Sequence, residues 1–247
     1  MSVKPIGMLM NDDTQFIGVH VLKTWSEAEL KRRVVSKGGN FGPVRKNRSL
    51  EVAARHNLRE FGGNGAGNID RMRSMHNRVL FGPTRGREVV SHALHLCAAN
   101  GVAVHAGSLL TTKERDRLKL EVPEAHTVLR ADAARACEVV MSLPPDTDID
   151  DEQFFAECLH WARTFFARRG SLLSAVVHLD QPHKHMHLLY LPMQGFGKMS
   201  GAEFIGGRDR IVFMHANFHA SVGSRYGLAD LVSTQERFQK SLERMAA

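Results

Sequence analysis

The sequence predicts an α+β fold with a mostly antiparallel central sheet flanked by helices, on three observations. Strand-like and helix-like segments are mixed without strict alternation, which argues against a doubly wound parallel sheet. Val176 to Pro192 consists of two apolar, β-prone runs, and Asp180-Gln181-Pro182 supplies the turn chemistry of a hairpin between them. Asp150 to Arg169 reads as the strongest helix, opening on Asp148, Asp150, Asp151 and Glu152 and closing on Arg168-Arg169-Gly170. Its Phe154, Phe155, Leu159, Ala162 and Phe166 form an apolar stripe suited to covering a sheet face.

Composition bounds the class. A chain of 247 residues, 43% hydrophobic and 24% charged, can bury a substantial core as one large domain or two small ones. Lys and Arg outnumber Asp and Glu by 33 to 26, a net charge of +7 that suits a protein handling phosphate backbones. Cys97, Cys137 and Cys158 have no paired spacing, which points to a reducing compartment without a disulfide framework. No apolar run is long enough to span a membrane and the N-terminus lacks a secretory pattern, so a cytoplasmic location is expected.

In chain order, Gln15 to Leu22 reads as a first strand and Trp25 to Lys37 as a charged helix stopped by Gly38-Gly39. Asn40 to Arg48 is a basic loop containing Arg45, Lys46 and Arg48. Ser49 caps a helix that should continue to Glu60 and stop before Gly62-Gly63. After a glycine loop at 64–68, Ile69 to Phe81 is a basic polar run with Arg71, Arg73, His76, Asn77 and Arg78, and Arg85 and Arg87 follow it. Glu88 to Ala99 is a helix stopped by Asn100-Gly101, Val102 to Ser108 a strand, and Thr112 to Leu120 a short helix. Glu138 to Leu143 is a strand ended by Pro144-Pro145. Beyond the hairpin, Gly195 to Arg210 reads as a glycine-rich loop, Ile211 to Tyr226 as a helix, and Gln235 to Met245 as an amphipathic tail helix.

The hairpin carries the chemistry. His178, His183, His185 and His187 lie within ten residues. Side chains alternate along a strand, so His183, His185 and His187 share a face while Met186, Leu188 and Tyr190 take the other. Pairing of the two strands brings His178 to the same trio. Three or four converging imidazoles suit a divalent ion such as Zn, Mn, Co or Ni. His215 and His219, four apart on a predicted helix, are a weaker pair and read as solvated.

These residues resemble the metal motif of plasmid mobilization relaxases of the MobV (Mob/Pre) type, histidine-metal endonucleases whose motif runs H-x-D-E-x-x-P-H-x-H with a later proline. A gapless match sets His178, His185 and His187 on the three metal ligands and Pro192 on the proline, and leaves His183 as the spare. Gln181 stands where the family has an acid. His56-Asn57-Leu58-Arg59 is similar to the family's H-N-x-R motif, and Ser74, His76 and Asn77 to the polar run that follows it. The resemblance implies a relaxase-like nicking domain over 1–230, with 25–48 as an insertion and 231–247 as a helical tail. Longer relatives carry a C-terminal dimerisation region, which is expected to be absent or cut down in a chain ending at residue 247.

The resemblance further implies site-specific nicking of single-stranded or supercoiled DNA at a transfer origin, aided by Mn or Mg. His56 is then the nucleophile, Asn57 positions it or a base, and Arg59, one helical turn along, binds the adjacent phosphate. Tyr190 is expected on the face opposite the histidines and Tyr226 near the C-terminal end, so neither suits a tyrosine mechanism. Arg45, Arg71, Arg73, His76, Asn77 and Arg78 are the expected DNA contacts. A homodimer or accessory mobilization proteins are further implied partners. Two other readings are a replication or transposition nickase on a similar fold and a metal-stabilised DNA-binding protein that does not cut.

Overall fold

The computed structural model describes residues 16–29, 49–60, 69–103, 127–129 and 133–230. Among these, five strands form an antiparallel sheet: β1 (Phe16–Leu22), β2 (Arg78–Phe81), β5 (Ala136–Ser142), β6 (Ser171–His178) and β7 (His185–Leu191), in the order β1-β5-β7-β6-β2. Two small pairs accompany it, β3 (Val102–Ala103) with β4 (Thr127–Val128) and β8 (Met193–Gly195) with β9 (Lys198–Met199). The helices are α1 (Leu50–Asn57), α2 (Gly86–Ala99), α3 (Asp151–Phe165), α4 (Gly201–Ile205) and α5 (Arg208–Ser221). The predicted α+β class and antiparallel sheet are therefore present.

The sheet is covered on both faces. On one, Met186, Leu188 and Tyr190 of β7 join Phe154, Phe155, Cys158, Trp161 and Ala162 of α3 and Met214 and Phe218 of α5. On the other, Leu189 and Leu191 of β7 join Leu50, Ala53 and Ala54 of α1 and Val89, Val90, Ala93, Leu94 and Cys97 of α2. Each large side chain so buried contributes about 1.5–3 kcal/mol. β7 is thus buried on both faces, and its period-2 alternation places His185 and His187 on the α1 side.

α3 begins as its sequence predicts, with the Asp150 carboxylate accepting from the amides of Glu152 (2.9 Å) and Gln153 (3.3 Å). It ends at Phe165, earlier than the Arg169 predicted. Phe166 instead turns inward and stacks on Phe204 of α4 at 4.6 Å.

Several predicted elements differ. Residues 78–81, read as part of a polar run, form the edge strand β2 because β6 offers it a ladder; an edge strand needs only one protected side. The predicted loop 195–210 holds the β8–β9 pair and α4, whose Ser200 hydroxyl caps the Glu203 amide at 3.2 Å. Gly206 then takes φ +78 to reverse the chain into α5, so glycine here marks a tight join between helices. α5 stops at Ser221, and Gly223–Tyr226 is a separate 3-10 turn. The basic loop with Arg45, most of the helix 25–37, the glycine loop 64–68, the strand beyond Ala103, the helix 112–120 and the tail 231–247 lie outside the described residues.

Candidate metal centre and nucleophile

Three of the four hairpin histidines converge. His178 and His185 are directly cross-strand partners, and His187 lies two residues further along β7. One ring nitrogen of each lies within 4.8 Å of the others. His183 is exposed and contributes its backbone carbonyl to the site, leaving its ring outside the trio.

Each ring is oriented by a partner on its far side, and that partner decides which nitrogen carries the proton. His178 Nε2 donates to the Asn57 carbonyl (2.7 Å), His185 Nδ1 to the His183 carbonyl (2.7 Å) and His187 Nδ1 to the Glu138 carboxylate (2.9 Å). All three acceptors lack a proton to give, so the lone pairs remain on His178 Nδ1, His185 Nε2 and His187 Nε2. His187 Nε2 is buried with no hydrogen-bond partner. His178 Nδ1 and His185 Nε2 face each other at 3.1 Å, matching the edge of about 3.0–3.4 Å between ligands bonded to one ion at about 2.1 Å. Two lone pairs meeting in this way need a cation, so the residues fit a divalent metal. Burial, reinforced by the charges around them, holds His178 far below the usual histidine range and pushes His185 down to about 3, so both rings are neutral as ligands must be.

Glu138 joins this centre to α1, the helix that carries His56. It is 1% exposed, and its Oε1 accepts from both His187 and the Asn57 side-chain amide (3.1 Å). Asn57, the residue after His56, is thereby held at two points, through its carbonyl by His178 and through its amide by Glu138. Glu138→Gln keeps an acceptor but loses its charge; metal affinity should fall about 10–100-fold, measured by competition with a chelator, with the fold retained.

His56 is half-buried at the last turn of α1. Its ring centroid lies 6.2 Å from that of His178 and 6.1 Å from that of His187. Across more than a hundred positions of sequence, His56 thus comes within ring-contact range of two of the three converging imidazoles.

Arg59 does not extend α1. The helix ends at Asn57, and Arg59 takes the left-handed conformation at φ +55. The Glu60 amide donates to the Arg55 carbonyl (2.9 Å) and the Arg59 amide to that of His56 (3.1 Å), a Schellman cap with arginine where glycine is usual. The backbone cost of about 1–2 kcal/mol is offset by what the guanidinium gains. Its Nε and Nη2 form a fork to Asp180 at 2.8 and 2.6 Å, and Nη2 also donates to Gln181 Oε1 at 3.2 Å. Sequence reading placed Arg59 on the same helix one turn from His56; the early cap instead aims it at the loop after His178.

Asp180, read in the sequence only as a turn residue and a motif position, is a buried hub. Besides Arg59 it accepts from Ser74 Oγ (2.7 Å) and Asn77 Nδ2 (2.8 Å), while its backbone carbonyl accepts from the Asp70 amide (2.8 Å). Asn77 Oδ1 in turn accepts from the Leu179 amide at 2.8 Å, so its side chain is occupied at both ends. Burial alone would raise the Asp180 pKa, but the bonds from Arg59, Ser74 and Asn77 outweigh it and hold the carboxyl well below the usual range. Its stabilisation is therefore complete above the unfolded value of about 3.9 and is lost as the pH falls below that. Asp180→Ala should cost about 3–5 kcal/mol at neutral pH by urea unfolding, with the deficit narrowing in acid as the native carboxyl protonates.

The remaining predicted DNA contacts divide. Arg71, Arg73 and His76 are exposed on the turn after Asp70, and Arg85 and Arg87 are exposed beyond β2. Arg78 is ion-paired with Asp151 at the start of α3, where Lys184 also bonds at 2.8 Å. His215 is buried and His219 Nε2 donates to the Leu228 carbonyl at 2.9 Å, so this pair builds no second cluster with the hairpin.

The fold and site define a histidine-metal protein: three imidazoles on the buried sheet, a shared outer carboxylate and a fourth histidine facing them from a neighbouring helix. Residues 113–243 match the Mob_Pre model, described as plasmid recombination enzyme. The chain belongs to this family. Among solved structures it is similar to the MobM relaxase domain (MOBV; Mob_Pre) bound to plasmid pMV158 oriT DNA in Mn-bound crystals. The pH 6.8 crystal gives a TM-score of 0.56 at 18% identity, covering 87% of this chain and 88% of that one. The pH 5.5 crystal gives 0.58 at 17%, and the pH 4.6 crystal 0.55 at 17%, with the same coverage. No curated protein matches the chain. Among the described residues, no helix is long and apolar enough to cross a membrane.

Proposed function

We propose that this protein is a relaxase that nicks and rejoins one DNA strand at a plasmid transfer origin, in the cytoplasm, through a covalent bond to His56. The observation that carries this reading is the approach of the His56 ring centroid to 6.2 Å from that of His178 and 6.1 Å from that of His187, two of the three converging imidazoles. A divalent ion such as Mn or Mg, held by His178, His185 and His187, would polarise the scissile phosphate and neutralise its developing charge. The solved relatives with this fold are Mn-bound and carry oriT DNA, which supports the same metal and substrate class here.

The work of the chain's own residues is positional. Asn57, fastened to His178 and Glu138, holds the end of α1 so that His56 keeps its aim at a phosphate seated at the trio. The imidazole lone pair forms a nitrogen–phosphorus bond as the phosphorus–oxygen bond to the departing strand breaks, and that oxygen takes up a proton to become a free hydroxyl. Attack by a strand hydroxyl on the phosphoramidate reverses the step and rejoins the DNA. Arg59 acts through Asp180 to hold the loop after His178, and its buried Nη1 has no hydrogen-bond partner in the protein. Arg71, Arg73 and His76 take the DNA backbone, with Arg45 as a further candidate, while Asn77 and Arg78 keep their surface in place.

The test is relaxation of a supercoiled plasmid carrying the cognate origin, with Mn, Mg or chelator. Metal-dependent conversion to the open circle, with DNA covalently attached to protein after denaturation, is the expected result. Tight, metal-dependent binding without any open circle would replace this reading with that of a non-cleaving DNA-binding protein.

A further inference from the structure

Met72 and Met75 are 80% and 79% exposed, more than any other large apolar side chain among the described residues. Leaving such side chains in water forgoes about 1.5–3 kcal/mol each, and contiguous apolar exposure generally marks a contact surface. Their segment is firmly tied. The Asp70 amide bonds the Asp180 carbonyl, Ser74 and Asn77 bond the Asp180 carboxylate, and Asp70 Oδ1 accepts from the Met72 amide at 2.9 Å. The turn is therefore built to present its methionines, and its anchor lies two residues beyond the metal-ligand candidate His178. Arg71, Arg73 and His76 alternate with them, so the turn exposes a short mixed strip of apolar and basic side chains.

A ligand for this strip must offer flat apolar faces and regularly spaced negative charge. A single strand of DNA has both: bases for the thioethers, which favour aromatic rings by about 0.3–1.5 kcal/mol each, and phosphates for the arginines. We propose that Met72 and Met75 form a base-contacting platform for the single strand beside the nicking site, with Arg71 and Arg73 binding the phosphates between. This deepens the relaxase reading and rests on it.

The experiment measures binding of fluorescein-labelled oligothymidylate to the metal-loaded protein across a salt series. The same measurement is made with an oligonucleotide carrying abasic sites. Met72→Ser/Met75→Ser should weaken binding about tenfold without changing the salt slope, because no charge is lost. Arg71→Ala/Arg73→Ala should instead make the slope shallower by about one per arginine. Abasic sites should weaken the native protein more than the methionine variant, which has already lost the base contacts. Since both methionines are exposed, unchanged melting temperatures are expected and exclude unfolding as the cause. Native-like affinity of the methionine variant, or an undiminished abasic penalty in it, overturns the platform while leaving the relaxase reading standing. A change of oligomeric mass with unaltered DNA affinity overturns it in favour of a protein partner. Absence of single-strand binding by the native protein overturns the platform and the relaxase reading together.

Discussion

Replacing His56 with alanine is expected to abolish plasmid relaxation, by about 10⁴-fold or more, while leaving metal and DNA binding near native. Loss of a nucleophile removes the covalent path itself, and such losses are typically of this order or larger. His56 is half-buried at a helix end and is not one of the three converging ligands, so the cost to folding should stay within about 1 kcal/mol. The native adduct should be acid-labile and alkali-stable, as a nitrogen–phosphorus bond is. The tyrosines offer no alternative. Tyr190 is 1% exposed in the core on the far side of the sheet, packed on Phe166 at 5.2 Å. Tyr226 packs on Phe154 at 5.2 Å, also on that side. These positions disfavour the reading as a tyrosine-dependent replication or transposition nickase. An adduct mapped to either tyrosine, or full relaxation by the His56 variant, would discard the proposed chemistry.

His187→Ala is expected to have the second largest effect, and a different one. It removes the ligand candidate whose Nε2 is buried without a partner, so affinity for Mn should fall by more than the about 10–100-fold expected for Glu138→Gln. It also takes the His187 Nδ1 donor away from the Glu138 carboxylate, which is almost wholly buried. The metal-free protein should therefore lose about 1–3 kcal/mol as well. Calorimetric titration with Mn and urea unfolding in chelator separate the two effects. Equal metal affinity in the native and His187→Ala proteins would show that the ion is not held by this trio. The ranking also matters: a larger loss for Glu138→Gln than for His187→Ala would make the carboxylate, rather than the ring it orients, the principal metal determinant.

Much of the site was legible in the sequence because its signals are local. A strand alternates every two residues, so the spacing of His185 and His187 already placed them together, and the turn at Asp180-Gln181-Pro182 brought His178 opposite. The same rule set Met186, Leu188 and Tyr190 on the other face, where they lie in the core. The long helix α3 was equally plain from its caps and aromatic stripe. Harder to read were features whose stabilisation comes from elsewhere in the chain. The edge strand β2 has little apolar periodicity of its own, and the elements within 195–210 were hidden by glycines that serve as joins rather than as loop residues.

The roles of Arg59, Asn77 and Asp180 show where local reasoning stops. Basic and polar types near a DNA site suggest phosphate contacts, and their spacing says nothing against it. In the fold, Asp180 draws Arg59, Ser74 and Asn77 to itself, because a buried carboxylate is stable only when its lone pairs are met. That demand also explains why an arginine occupies the left-handed cap of α1.

The sequence by itself determined the hairpin, the three histidines on one face of it, the α+β class and the resemblance that singled out His56. Only the tertiary structure decided that α1 packs against that same face, so that His56 meets His178 and His187. It also decided that one carboxylate, Glu138, bonds both His187 and Asn57 of α1. The physical reason is one of range. Side-chain alternation and capping act over a few residues, whereas the meeting of α1 with β6 and β7 depends on how two apolar layers close over the sheet.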